Sequence, residues 1–144
     1  VVALEAWYDS EDDEPTLIQG SADLDVLLDR MVADGRGFDV PPLAELSRQS
    51  PDGWLVAHVG LDPRRGTGFM TYADPVGSVT SCNGGTDREP VDYDYMGHQR
   101  QIPANAELPL ADICEAVHEL VATGGRPSCI AWQEDAEPGR SSTP

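Results

Sequence analysis

Histidine, cysteine and clustered carboxylates are the side chains here that could do chemistry at neutral pH. The chain has three histidines, His58, His98 and His118, and imidazole is the side chain whose ordinary pKa lies nearest 7. His118 is followed by Glu119, but a zinc-protease helix needs its second histidine where this chain has Ala122. No His-x-Glu is followed by Pro-Cys-x-x-Cys, so the zinc ligands of a deaminase are absent. Cys82 and His98 could on paper serve as nucleophile and base of a hydrolase. Nothing in the local sequence supports that pairing, and a cysteine at a strand end is the plainer reading. Gly66-Thr67-Gly68 lacks the third glycine and the following helix of a phosphate loop and reads as a hairpin turn. The acidic run Asp9–Glu14 has Glu14 where a calcium loop needs glycine, and Gly20 where it needs the bidentate glutamate. Asp92 and Asp94 have the spacing of a carboxylate pair, a pattern met far more often on a solvated strand face. No catalytic residue, metal ligand or cofactor is assigned.

The same carboxylates read better as a binding surface. Asp and Glu number 26 against 9 basic residues, a formal charge of −17, and every basic residue is arginine. Such a surface repels phosphate, which argues against nucleic acid as a direct ligand and against an anionic membrane. It attracts a cationic partner and speeds the encounter with one. Solubility alone is the competing explanation for the charge. The acidity is densest in two stretches. One is the loop Asp9, Glu11, Asp12, Asp13 and Glu14. The other is Asp87, Glu89, Asp92, Tyr93, Asp94 and Tyr95, where tyrosines interleave with carboxylates. Tyrosine suits an interface that receives Arg and Lys side chains, because it offers flat area and a hydroxyl; core packing is the alternative for both tyrosines.

The elements that must carry these residues follow from periodicity. Residues 3–8 and Thr16-Leu17-Ile18 read as strands on either side of the acidic loop. Ser21 is a natural N-cap for a helix over 22–34, with Leu24, Leu27, Leu28, Met31 and Val32 on one face and Gly35 as its stop. Period-two segments then recur over 43–48, 54–61, 67–73 and 78–82, separated by Pro-, Gly- and Asp-rich turns at hairpin spacing. A further strand over 91–101 is interrupted near Gly97, with Val91, Tyr93 and Tyr95 on one face and Asp92 and Asp94 on the other. Pro109 opens a second helix whose stripe runs from Leu110 to Val121 and ends at Gly124-Gly125, before a last strand over 128–133. Trp7, Trp54 and Trp132 fall on strands, where core packing is expected of each. The fold class is α+β, an antiparallel sheet of about six strands with two helices packed on it. Residues 1–133 form a single domain, and 134–144 a loose polar tail. Three cysteines without a close-spaced pair argue for a reducing compartment. Val1–Asp9 has no signal-peptide pattern, and no apolar run approaches a membrane span, so a soluble, cytoplasmic protein is expected.

Taken in order, the segments resemble a known family. They are the Thr-Leu-Ile strand, the helix start Asp23-Leu24-Asp25-Val26-Leu27-Leu28, Pro42-Leu43-Ala44-Glu45-Leu46, and the strand Trp54–Gly60. Gly77–Ser81, Val91–His98 and Thr123–Ser128 follow, then the strand ending at Trp132. Over roughly residues 3–133 this order is similar to the first-named immunity-protein family of bacterial polymorphic toxin systems, often encoded beside deaminase-fold toxins. The resemblance implies a protein that binds and inhibits a cognate toxin, a nucleic-acid (cytosine) deaminase. Inhibition would come from occluding the toxin's basic substrate groove and active site. It carries over no catalytic residue and no contact position. The rival readings are an acidic DNA mimic or general interaction module acting on another basic protein, such as a nuclease toxin, and a hydrolase using Cys82 or His98.

Overall fold

The computed structural model describes residues 3–9, 11, 13–51 and 53–134. The first strand, β1 (Leu4–Trp7), pairs with β2 (Thr16–Ile18), and the chain then enters α1 (Ser21–Gly37). Four strands follow as a meander: β3 (Leu43–Ser50), β4 (Gly53–Asp62), β5 (Thr67–Asp74) and β6 (Gly77–Ser81). A hairpin of β7 (Pro90–Tyr95) and β8 (His98–Pro103) comes next, then a single 3₁₀ turn at Ala104–Ala106. The two-residue β9 (Leu108–Pro109), α2 (Leu110–Thr123) and β10 (Trp132–Glu134) complete the described chain. The main sheet has eight strands in the order β10-β6-β5-β4-β3-β1-β2, with β9 alongside β5, and β7-β8 forms a separate two-stranded sheet. All strand pairs are antiparallel. The α+β class and the two packed helices therefore stand, and the sheet is larger than the expected six strands.

Alternation along β4 explains the layering. Leu55, Ala57, Val59 and Leu61 point to one face and meet Leu24, Leu28 and Met31 of α1 and Ile113, Val117 and Leu120 of α2 in the principal core. His58 and Gly60 point to the other face, part of which the β7-β8 hairpin covers. A second, smaller core of Leu43, Phe69, Tyr93, Ile102 and Ala106 fills that interface. The fold is thus three-layered: helices, sheet and hairpin. Trp54 shares the second face but lies beyond the hairpin, so it is 44% exposed, against the expectation of core packing. Trp7 and Trp132 are only half-buried.

Several boundaries moved for identifiable reasons. Gly20, not Ser21, occupies the N-cap, and the Asp23 carboxylate reaches back to accept the Gln19 N–H at 2.9 Å. Gly35 does not stop α1. It is a packing glycine, since a Cβ there would lie 2.7 Å from Cδ of Pro63, and the helix runs on to Gly37. The last strand is short because Glu119 of α2 takes the Ser128 backbone N–H at 2.7 Å and its hydroxyl at 2.9 Å, holding that stretch to the helix. β9, only two residues long, has no alternation in the sequence to mark it. It pairs with the first residues of β5, while β6 pairs only from Thr71 onward. Between the two ladders the buried Ser81 hydroxyl accepts the Met70 N–H at 3.1 Å and donates to the Ala106 carbonyl at 2.6 Å. One side chain thus satisfies two backbone groups that would otherwise be stranded.

The close seating of the hairpin depends on Gly60. A Cβ at that position would drive into the Phe69 ring and lie 2.7 Å from Tyr93 Cδ2. Gly60→Ala should destabilise the protein by about 1–3 kcal/mol through overpacking. Gly77→Ala, where nothing lies within 4 Å, should stay within about 0.5 kcal/mol. Urea-unfolding midpoints of the two variants measure the contrast.

Candidate functional site

The acidic residues singled out from the sequence are distributed over three places. Asp9 follows β1; its Oδ1 accepts the Glu11 N–H at 2.9 Å and its Oδ2 pairs with Arg30 of α1. The Glu11 N–H first, and Arg30 second, hold the Asp9 carboxyl below the usual range. Glu11, Asp13 and Glu14 are exposed, and Asp12 lies outside the described residues. Asp87 and Glu89 sit at the far end of the hairpin, where their carbonyls accept the N–H groups of Asn105 at 2.7 Å and Ala104 at 2.9 Å. Asp92 faces outward from the middle of β7 and accepts the side-chain amides of Gln99 at 2.8 Å and Gln101 at 3.1 Å, which depress its pKa in that order.

Asp94, at the turn end, is tied to the main sheet by its N–H donating to the Pro41 carbonyl at 2.9 Å. It thereby comes to line the same cleft as Asp9. That cleft, 260 Å³ in volume, lies between α1, the end of β1 and the β7-β8 turn, and Tyr8, Arg30, Asp34, Phe38, Pro42 and Met96 also line it. Tyr8 is largely buried; its hydroxyl donates to Asp34 Oδ2 at 2.7 Å and its ring lies 5.1 Å beneath the Arg30 guanidinium. Burial first, then the bond to Asp34, raises the Tyr8 pKa. The turn places Met96 at φ 51° and Gly97 at φ 90°, both in the left-handed region that a two-residue hairpin turn demands. Neither Asp34 nor Phe38 carries any local sequence signal that pairs it with the distant Asp94.

The two tyrosines separate. Tyr95 is half-buried, its ring stacked at 5.8 Å on His58. Tyr93 is fully buried and offers no surface to a partner. Its ring meets Phe69 edge-on at 4.6 Å, and its hydroxyl donates to Glu107 Oε2 at 3.0 Å. Glu107 also accepts Thr67 Oγ1 at 3.2 Å and a two-pronged contact from Arg65, at 3.1 and 2.7 Å. Burial, then the neighbouring Glu107 charge, pushes the Tyr93 pKa up.

The catalytic alternatives find no geometry. Cys82 lies beside Asn83, whose N–H donates to Asn105, while His98 starts β8 at the opposite end of the hairpin. The intervening strand spans roughly 16 Å, so the two cannot act together. His58 bridges Glu45 at 3.1 Å and Arg100 at 3.4 Å. His118 links the helices, with Nε2 2.9 Å from Asp25 and Nδ1 3.4 Å from the Ser21 hydroxyl. That Ser-His-Asp chain lacks the buried, orienting carboxylate that activates a serine, because the Asp25 side chain is 59% exposed. Among the described residues no three His, Cys, Asp or Glu side chains are placed to hold a metal ion.

The fold and its surface define an acidic α+β domain. A family model described as immunity protein Imm1 matches residues 12–134, and the chain belongs to that family. Its role is therefore that of an immunity protein, with a cognate toxin as its partner. No curated protein matches the chain.

The buried Glu107 network predicts both stability and its pH dependence. Tyr93→Phe removes one hydrogen bond to a charged acceptor and should cost about 2 kcal/mol. Glu107→Ala leaves two hydroxyls without their acceptor and Arg65 with only the more distant Asp62 at 3.7 Å, and should cost about 3 kcal/mol. An unfolded tyrosine ionises near 10.0, whereas folded Tyr93 stays protonated well above that. Its contribution is thus complete below pH 10 and is lost as pH rises beyond, by about 1.4 kcal/mol per pH unit. Tyr72, pushed up to about 12 by burial and then by its bond to Asp74, adds in the same direction. Alkaline denaturation of Tyr93→Phe, followed by circular dichroism, should show a shallower loss above pH 10 than the parent protein.

Proposed function

We propose that this immunity protein inhibits a nucleic-acid (cytosine) deaminase toxin in the bacterial cytoplasm by covering its basic substrate groove with a carboxylate surface. The observation that carries the reading is where the charge lies. Among the described residues only Asp62 and Glu107 are buried carboxylates, so the other described carboxylates reach solvent, on a chain whose formal charge is −17. An enzyme acting on DNA or RNA needs a cationic groove for its phosphates. An acidic protein filling that groove gains from long-range attraction during approach and excludes substrate once seated. Occlusion needs no catalytic group on the inhibitor.

The test is to purify the chain with the toxin domain encoded beside it and assay deamination of single-stranded DNA. A one-to-one mixture should abolish turnover. Raising the salt from 50 to 500 mM should slow association about 10- to 100-fold with a smaller change in dissociation. A stable complex with full deaminase activity would refute occlusion. A neighbouring toxin that is a nuclease would refute the deaminase assignment and leave the immunity role intact.

A further inference from the structure

We infer that the cleft between α1 and the β7-β8 turn is the socket that receives a basic side chain of the toxin. The inference rests on the toxin-binding reading above and assigns it a place. The cleft is a void of 260 Å³ with the protein's own Arg30 already inside its wall, room for one long side chain. Three carboxylates, Asp9, Asp34 and Asp94, line it against that single guanidinium, so it keeps an uncompensated negative charge. Asp34 uses Oδ2 for the Tyr8 hydroxyl and the more distant Arg30 Nε at 3.9 Å, and Asp94 uses Oδ2 for the Gly97 N–H. The Oδ1 atoms of both face no donor among the described residues.

The remaining walls suit an aliphatic stem. Phe38, just beyond α1, is 46% exposed at the cleft, and Met96 is held in the left-handed region at its rim. Apolar walls with carboxylates around them match a lysine or arginine side chain, whose methylenes and charged head ask for those two environments. Arg30 shows the chemistry in miniature, because its guanidinium lies over the Tyr8 ring and pairs with Asp9 in the same cleft. The incoming cation would complete the arrangement that Arg30 leaves half made. The cleft also joins the two acidic stretches, since Asp9 comes from one and Asp94 from the other.

The experiment compares two variants that remove the same charge. Asp34→Asn/Asp94→Asn neutralises the cleft, and Asp112→Asn/Glu115→Gln neutralises the exposed outer face of α2. Binding of each to the purified toxin domain encoded beside this chain is measured at one salt concentration. The cleft variant should bind about 30-fold more weakly, mainly through faster dissociation, and the α2 variant less than about 3-fold. Phe38→Ala, an exposed position that leaves the Tyr8–Asp34 bond in place, should weaken binding about 5-fold. Cleft variants that bind as tightly as the α2 variant would overturn the socket while the immunity reading stands. A parent protein that does not bind the toxin at all would overturn that reading and the socket with it.

Discussion

Glu107 places a negative charge out of water at the point where three segments of the chain meet. A carboxylate in that position is tolerable only when its oxygens are filled by donors and its charge is balanced. Arg65 arrives from the β4-β5 turn, Thr67 from the first residue of β5 and Tyr93 from the hairpin. Losing any one of them leaves the buried carboxylate short of a donor, so the turn, the sheet and the hairpin are tied to one another through it. The apolar contacts around Tyr93 then add area to a geometry the carboxylate has already chosen.

What that anchoring achieves is positional. The hairpin lies on the face of the sheet opposite the helices and touches the main sheet at two levels. Tyr93 drops into the second core, and Asp94 bonds to Pro41 just ahead of β3. The turn of the hairpin is thereby carried to the side of α1, where Met96 and Asp94 face Asp34 and Asp9. The cleft is assembled from a helix, a loop and a hairpin turn that lie far apart along the chain. Rigid support of this kind lets polar side chains hold fixed directions without a ligand to organise them.

A chain with so few cations must also manage repulsion within itself. Two of its arginines lie where carboxylates crowd: Arg30 between Asp9 and Asp34, and Arg65 between Asp62 and Glu107. Other acids are quieted by neutral donors, as Asp92 is by two glutamines and Glu119 by Ser128. Hydrogen bonds of that sort keep a carboxylate ionised without cancelling its charge. The outward field survives, which is what an electrostatically steered partner requires.

The amino-acid sequence by itself determined the parts governed by local periodicity. The stripe of α2 from Ile113 to Val121, the meander from β3 to β6 and the stop at Gly124 depend on neighbours within a few residues, and each was legible. So was the acidic character, which is a sum over composition. Gly35 misled because a helix-ending glycine and a packing glycine look alike until Pro63 is seen against it. Trp54 misled because alternation gives two faces but does not say how far the hairpin extends over one of them. The fate of Tyr93, the pairing of Tyr8 with Asp34 and the meeting of Asp9 with Asp94 were decided only by tertiary structure. Each joins residues separated by long stretches of chain, and such contacts arise from how layers stack and how a buried charge is satisfied, which no local spacing encodes.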